Sequence, residues 1–223
     1  MEIARRLEHF DNQLQPYNCS LIAVSKTKPS SLVLEAYDAG HRDFGENRVQ
    51  DLEKKYEELP KDIRWHMIGH LQRNKVKYIA PFVHLIHGVD SEKLLNEIDK
   101  RGANVDRTIN CLLQVHIAKE ETKFGFDEDE LFEFLDSERL NKLKNIEILG
   151  LMGIATNTDN KKLIKKEFAY LSSLLKKIET NYGFDNLNPS ELSMGMSSDF
   201  EIALEEGSTM IRVGTAIFGA RNY

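Results

Sequence analysis

The sequence contains little cysteine and proline, and it lacks a long apolar run. Among its 223 residues are only 2 cysteines, Cys19 and Cys111, too few and too far apart for a disulfide framework or a C-x-x-C metal pair. With 13 glycines and 5 prolines, the chain is neither collagen-like nor of low complexity. The longest plain apolar run, 148–155, is far shorter than the roughly 18 residues that span a bilayer. These absences predict an ordinary globular protein without a membrane-spanning segment.

The chain also has fewer basic than acidic residues: 30 lysines and arginines against 36 aspartates and glutamates give a net charge of −6. Nucleic-acid-binding domains usually carry a basic balance, so we expect no nucleic-acid partner. The N-terminal residues MEIARR contain no apolar segment of a secretory signal. We therefore expect a cytoplasmic monomer without a membrane partner.

The rest of the chain alternates between short apolar segments and amphipathic ones. Near-continuous apolar runs are typical of parallel strands that are covered on both faces. The predicted strands are 20–25, 42–45, 65–69, 83–89, 109–117, 146–155, 191–195 and 209–214. The predicted helices are 2–14, 31–39, 49–58, 71–79, 92–101, 128–135, 161–179 and 199–205, with start signals at Ser91, at Asp127 and in a capping box of Ser198 and Glu201.

Eight strands that alternate with helices predict one domain, 1–223, built as a (β/α)8 barrel of TIM type with an extra N-terminal helix. A doubly wound open sheet is the alternative. In a barrel, functional side chains lie at the carboxyl ends of the strands, and phosphate groups tend to bind after strands 7 and 8. The ends of the predicted strands are therefore where chemistry is expected.

Lys26 closes the first predicted strand. In a barrel its amine would lie in the mouth, where a partly desolvated lysine can form a Schiff base. Taken alone, a lysine just past a strand end is more often simply solvated. The segment FGEN at 44–47 ends the second strand and suits either ligand contact or a plain turn.

Histidines cluster around the third and fourth predicted strands. His66 and His70 are four residues apart, but they lie in a strand pattern and no glutamate takes the position that a zinc protease would need. We therefore expect no metal site and interpret His66 as part of a pocket wall or as a core histidine. His84 and His87 are likewise interpreted as part of a pocket wall or as core histidines.

The turns after strands 7 and 8 carry the strongest signal. Both segments, SMGMS at 193–197 and RVGT at 212–215, combine small residues, hydroxyl groups and backbone N–H groups at the start of a helical turn. Phosphate needs such donors and the positive end of the helix dipole, although glycine and serine also serve plain turns. A lysine after strand 1, Arg212 on strand 8 and a phosphate cradle between strands 7 and 8 suggest pyridoxal 5′-phosphate (PLP), with Arg212 facing the pyridine nitrogen.

Six motifs extend this interpretation over nearly the whole chain. They are AVSKTKP at 23–29, FGEN at 44–47, WHMIGHLQRNK at 65–75, GLMGI at 150–154, LSMGMSSD at 192–199 and GSTMIRVGTAIFGAR at 207–221. In this order they resemble the pyridoxal phosphate homeostasis proteins, which are single-domain relatives of the alanine racemase barrel.

The resemblance implies an alanine-racemase-like barrel that holds PLP as a Schiff base on Lys26, with Arg212 at the pyridine nitrogen. The residues that it implies around the cofactor are Asn47, His66, Met152, Ser193, Met194, Gly195, Met196, Ser197, Gly214 and Thr215. Lys28 and Lys123 match secondary lysines that influence PLP loading or release.

The resemblance also implies a PLP carrier or buffer in vitamin B6 homeostasis with no established turnover, which passes PLP to apo PLP-dependent enzymes. An arginine cannot accept the pyridine proton, so carbanion stabilisation should be weak. Related racemases use a tyrosine from an additional C-terminal domain, which we expect to be missing here because the sequence ends at Tyr223, soon after strand 8. Two alternatives stay open: a weak PLP-dependent amino-acid racemase, and a phosphate-binding barrel or interaction module without PLP.

Overall fold

Eight parallel strands close into a barrel in the computed structural model, which describes residues 2–120, 122–137 and 139–219. Each strand pairs with the next along the chain, and the eighth pairs with the first. The strands are β1 (Ser20–Val24), β2 (Asp43–Glu46), β3 (Arg64–Met67), β4 (Leu85–Val89), β5 (Ile109–Gln114), β6 (Ile146–Met152), β7 (Leu187–Met196) and β8 (Met210–Val213). The predicted barrel is confirmed, and the open-sheet alternative is wrong.

Helices alternate with the strands along the chain. Within the described residues they are α1 (Glu2–Leu14), α2 (Ser30–Asp38), α3 (Val49–Glu58), α4 (Val76–Ile79), α5 (Glu92–Asn104), α6 (Glu128–Asp136), α7 (Lys161–Asn181), α8 (Phe200–Glu205) and α9 (Thr215–Phe218). The N-terminal helix α1 buries one face, with Ile3, Leu7, Phe10 and Leu14 at helical spacing. No helix in these residues is long and apolar enough to cross a membrane.

The predicted element boundaries differ from the structure in a few places. The strand predicted at 191–195 begins earlier, at Leu187, and the helix predicted at 71–79 is a 3-10 turn, Arg73–Lys75, followed by the short α4. The polar start of β7 and the charged residues of 73–75 hide these boundaries, because neither segment has a clear apolar period.

The predicted helix caps have three outcomes. Asp127 forms a reciprocal capping box with Glu130, as its sequence position indicates. Ser91 stands at the N-cap of α5 without a side-chain capping bond. The Ser198–Glu201 box is wrong, because α8 begins at Phe200 and its N-cap residue is Asp199.

The inside of the barrel divides into an apolar side and a polar side. Leu85, Leu112 and Met152 form a small buried cluster, separate from the larger core. The polar side consists of buried side chains on β3, β4, β7 and β8, described below. The interior of the barrel therefore contains buried polar side chains within a largely apolar core.

Candidate functional site

Lys26 follows β1 at the carboxyl-terminal mouth of the barrel. The neighbouring strand β8 aligns Val213 with Ala23, so the turn after β8 lies beside the turn that carries Lys26. Gly214 permits this approach, because a Cβ atom there would lie 2.9 Å from the backbone oxygen of Val24. The strand register therefore brings the predicted lysine next to one of the two predicted phosphate turns.

The backbone around Lys26 is held in an unusual conformation. Thr27 has a φ of 65°, in the left-handed region that non-glycine residues rarely adopt. The Lys28 N–H donates to the Ser25 carbonyl oxygen at 3.0 Å and closes the turn. The Lys28 amine donates to the Gly219 carbonyl oxygen at 3.0 Å. Such strain persists where surrounding contacts over-determine it, and it is common at functional sites.

A buried ion pair anchors the start of this turn. The Lys55 amine of α3 lies 2.5 Å from Glu46 Oε1 at the end of β2 and donates to the Ser25 carbonyl oxygen at 2.8 Å. The Ser25 hydroxyl donates to the same Glu46 oxygen at 2.6 Å. Burial raises the pKa of Glu46, although Lys55 and Ser25 act in the opposite direction. The pair fixes the residue that precedes Lys26.

Asn47 lies at the end of β2 with a polar atom that lacks a partner. Its Oδ1 is buried and accepts no hydrogen bond from the described part of the chain. The backbone packs closely here, since a Cβ atom on Gly69 would lie 2.4 Å from the Asn47 carbonyl oxygen. A buried acceptor without a donor costs free energy, so this oxygen fits a ligand contact better than a structural one.

Arg212 is buried inside the barrel and projects from β8. Its Nη1 donates to Ser193 Oγ at 2.7 Å, and its Nη2 donates to the Gly153 carbonyl oxygen at 3.0 Å. Burial lowers the pKa of Arg212 to about 10, while the charge of Asp199 opposes the shift. The guanidinium therefore stays charged at neutral pH, and two of its five N–H groups are used by these contacts.

Two buried histidines, His87 and His66, are connected to Ser193 by successive hydrogen bonds. His87 Nδ1 lies 2.8 Å from Ser193 Oγ, and His87 Nε2 lies 2.9 Å from His66 Nδ1. Because β4 and β7 are not neighbours in the barrel, the contact between His87 and Ser193 crosses its interior. Burial lowers the pKa of His87 well below its ordinary value, with further contributions from His66 and Arg212. The ring of His87 is therefore neutral.

The turn after β7 supplies the second set of candidate phosphate donors. Gly195 has a φ of 93°, and a Cβ atom there would lie 2.6 Å from the Ala203 side chain. The Met196 N–H donates to Asp199 Oδ1 at 2.6 Å, so this donor is already used within the turn. Burial raises the pKa of Asp199, although that backbone bond acts against the shift. Ser197 is exposed at the tip of the same turn.

The predicted site residues occupy different levels of the barrel. Ser193 and His66 are buried below the rim, where they bond to other side chains. Met152 packs inside with the apolar cluster, whereas the Met194 side chain packs in the larger core. Only backbone groups of Met194 are thus available to a ligand. The roles of these residues toward a ligand stay predictions.

Lys123 lies between the ends of β5 and β6. Its amine donates to the Ala155 carbonyl oxygen at 2.7 Å and lies 3.0 Å from Glu120 Oε1. These contacts tie together two loops of the mouth. The predicted influence of Lys123 on loading stays a prediction.

Sequence reasoning missed two residues of this region. The sequence indicates for His87 only a pocket-wall or core position, yet its ring joins His66 to Ser193. Asp43, at the start of β2, lies 3.1 Å from His66 Nε2 and forms a two-point ion pair with Arg64. No local signal could reveal these contacts, because their partners are 21 to 106 residues apart in the chain.

Asp43, His66 and His84 also place three possible metal-ligand atoms within 4.8 Å of one another. Both Asp43 oxygens, however, already accept from the Arg64 guanidinium, whose charge would repel a cation. Burial would raise the pKa of Asp43, but the hydrogen bonds from Arg64 and His66 outweigh it and hold the pKa far below its usual range. The cluster is best described as an ion pair with two histidines beside it.

Comparison with known proteins agrees with this geometry. Residues 1–222 match the family described as "Alanine racemase, N-terminal domain". A pyridoxal phosphate homeostasis protein of Aquifex aeolicus is 42% identical over 208 residues, which cover 92% of this chain and 89% of that protein. The structures of PipY from Synechococcus elongatus PCC7942, without PLP and with PLP bound, are 39% identical, with TM-scores of 0.91 and 0.88. Each covers 97% of this chain and 100% of its own.

The barrel and the match over residues 1–222 define a protein of the alanine racemase N-terminal domain class. Within that class, the identity to the curated relatives over nearly the whole chain is decisive. The chain belongs to the family of pyridoxal phosphate homeostasis proteins. The resemblance drawn from the six motifs is confirmed.

Proposed function

We propose that this chain binds PLP at the barrel mouth through Lys26 and serves as an intracellular carrier or buffer of PLP in vitamin B6 homeostasis. The observation that carries the proposal is the placement of Lys26 just after β1 and of the buried Arg212 on the paired strand β8. The relatives named as PLP homeostasis proteins, and PipY with PLP bound, support the choice of cofactor. We propose that the barrel does this as one domain, 1–223.

Three features of the mouth suit PLP, which supplies a reactive aldehyde, a pyridine ring and a phosphate group. The Asn47 Oδ1 acceptor is buried and lacks a donor among the described residues. Arg212 keeps N–H groups beyond the two that bond to Ser193 and Gly153. The turn at Gly214 and Thr215 begins a helical turn, where the first backbone N–H groups have no partner within the helix.

Different residues are proposed to bind the aldehyde, the ring and the phosphate group of PLP. Lys26 provides an amine that bonds reversibly to an aldehyde. Arg212 holds a positive charge toward the ring. Thr215, Gly214 and the turn of Gly195 receive the phosphate group, which needs N–H and O–H donors. The remaining proposed contacts are Asn47, His66, Met152, Ser193, Met194, Met196 and Ser197.

The chemistry of Arg212 also favours a carrier of PLP over an enzyme that uses PLP in catalysis. PLP enzymes that stabilise carbanions gain from a carboxylate that keeps the pyridine nitrogen protonated. A guanidinium can only donate hydrogen bonds, so it leaves that nitrogen unprotonated and the ring a weak electron sink. The chain therefore keeps the cofactor without using its chemistry.

The first experiment tests the attachment site. Purified protein is loaded with PLP, reduced with borohydride and digested, and the modified peptide is identified by mass spectrometry. We expect one major adduct on Lys26 and a visible absorption band that Lys26→Ala abolishes. Lys162→Ala, an exposed lysine of α7, is the control and should keep both. A band that survives in Lys26→Ala would overturn the assignment of Lys26.

The second experiment separates a carrier from a weak racemase. The loaded protein is incubated in deuterium oxide with single amino acids, and separately with an apo PLP-dependent enzyme. A carrier restores activity to the apo-enzyme and leaves the substrate α-proton in place. Exchange of that proton above the rate of free PLP would instead establish catalytic activity.

A further inference from the structure

A continuous chain of hydrogen bonds crosses the barrel from Arg212 to Asp43. From Arg212 Nη1 it passes through Ser193 Oγ at 2.7 Å and His87 Nδ1 at 2.8 Å. It then passes from His87 Nε2 to His66 Nδ1 at 2.9 Å and from His66 Nε2 to Asp43 Oδ1 at 3.1 Å. The three middle side chains are almost completely buried, at 0 to 2% exposure. Solvent therefore has little access to the middle of the chain.

The chemistry of the two ends fixes the direction of the hydrogen bonds. Arg212 has no acceptor atom, so it must donate to Ser193. Asp43 is ionised, because its hydrogen bonds from Arg64 and His66 hold its pKa far below the usual range, and an ionised carboxylate can only accept. With both imidazole rings neutral, each ring has one donor and one acceptor nitrogen, so every bond between these ends has its donor on the Arg212 side.

The tautomers of both histidines follow from that direction. His66 Nε2–H donates to Asp43, which leaves His66 Nδ1 to accept from His87 Nε2–H. His87 Nδ1 then accepts from the Ser193 hydroxyl. Each bond has one proton, and each ring is neutral. The opposite arrangement requires a second positive charge on His66 inside the barrel, although Arg64 already neutralises Asp43.

We propose that His66 and His87 are positioning residues of the PLP site: as neutral Nε2–H tautomers they direct the Ser193 hydroxyl toward His87 Nδ1, so that the Ser193 oxygen accepts from Arg212 and holds the guanidinium in place. This inference rests on the proposed function, since Arg212 is the group proposed to meet the ring. Both histidines act through Ser193 and Arg212. His87 itself does not contact PLP. Their removal would leave Ser193, the one side chain among the described residues that accepts a hydrogen bond from Arg212, less firmly oriented.

The tautomers are tested first, in the protein without PLP. The protein is labelled with 15N-histidine, and two-bond 15N–1H correlation spectra are recorded near neutral pH. We expect His66 and His87 to show a protonated Nε2 and a bare Nδ1, with assignment through single histidine variants. A protonated Nδ1 on His87, or a doubly protonated His66, would overturn the direction of the chain. This readout does not depend on PLP.

The effect on the site is tested with His87→Phe, which keeps a ring of similar size and removes both hydrogen bonds. We expect PLP affinity to fall roughly tenfold, because the buried Ser193 hydroxyl loses its acceptor and holds Arg212 less firmly. We also expect the absorption maximum of bound PLP to shift, which a merely structural role would not produce. The control is His84→Phe, whose ring lies beside His66 but outside the chain.

Ser193→Ala is the second variant and breaks the same chain while keeping both rings. Should His87→Phe fail to fold, Ser193→Ala gives the same test, with an expected loss of affinity and a spectral shift. Unchanged affinity and spectrum in a folded variant would overturn the inference and leave the proposed function standing. Absence of PLP binding by the unaltered protein would overturn the proposed function, while the tautomers would still be measured.

Discussion

Two buried cations, Lys55 and Arg212, are each about 5% exposed, but the fold treats them differently. Lys55 lies between α3 and the barrel and pairs directly with the carboxylate of Glu46 at 2.5 Å. Arg212 lies inside the barrel and bonds to a hydroxyl and a carbonyl oxygen, both neutral. Among the described residues, no carboxylate forms an ion pair with Arg212.

This difference separates a structural charge, Lys55, from the charge that we propose to be functional, Arg212. A buried charge is expensive unless it is paired, and a direct partner satisfies it permanently. Arg212 is left with neutral partners, and its nearest anion in the hydrogen-bonded chain is Asp43, three side chains away. Its charge therefore remains available for an electron-rich group at the mouth. The substitutions below test this distinction, in order of their expected effect on the free energy of unfolding.

Lys55→Met should have the largest effect. It strands the Glu46 carboxylate in a buried position, and breaking a buried pair costs about 3–5 kcal/mol. Urea denaturation followed by circular dichroism measures the loss. The control is Lys54→Met, whose exposed pair with Glu58 at 3.8 Å should contribute less than about 1 kcal/mol.

The double variant Glu46→Leu and Lys55→Met sharpens this result. Replacing both charges by apolar groups removes the stranded carboxylate, so most of the lost stability should return. If the double variant is as unstable as Lys55→Met alone, the loss comes from packing and not from an unpaired charge.

Asp43→Asn should have an intermediate effect that depends on pH. The pKa of Asp43 is lower in the folded chain than its ordinary value near 3.9, so its stabilisation is complete above that value and is lost as the pH falls below it. At pH 7 we expect the variant to be less stable by roughly 1–3 kcal/mol, less than full burial would give because Asp43 is partly exposed.

The pH dependence supplies the control for this variant. The difference in unfolding free energy between Asp43→Asn and the unaltered chain should stay constant from pH 6 to about pH 4 and narrow from there to pH 2.5, because below its ordinary pKa Asp43 binds a proton in the unfolded chain before it does so in the folded one. Parallel curves over this range would contradict the assignment of an ionised Asp43 at the end of the chain.

The sequence predicts the parts of this molecule that follow from local patterns. Near-continuous apolar runs predict the parallel barrel, and strand ends with a lysine or an arginine locate Lys26 and Arg212 at its mouth. The cap at Asp127 is also a local pattern, since donor and acceptor lie three residues apart.

The contacts that the sequence does not predict are long-range. His87 and Ser193 are 106 positions apart, and only the closed barrel brings them together. The Ser198 cap fails for a local reason, because α8 begins one residue later with Asp199 at its N-cap, and the Asp199 side chain accepts from the Met196 N–H. The burial of Lys55 is not predicted either. A lysine in an amphipathic helix is typical of an exposed position, and Lys55 is buried only because of where α3 packs.

Arg212→Met should have the smallest effect on stability and a large effect on PLP. Because no carboxylate is paired directly with Arg212, its removal strands no charge, and the relief of guanidinium burial offsets two lost hydrogen bonds. We expect the free energy of unfolding without PLP to change by about 1 kcal/mol or less, whereas PLP affinity falls at least roughly tenfold. Arg101→Met, a partly exposed arginine paired with Glu97, should change neither quantity appreciably. A loss of stability as large as that of Lys55→Met would show that Arg212 is a structural cation like Lys55, and the distinction between the two would fail.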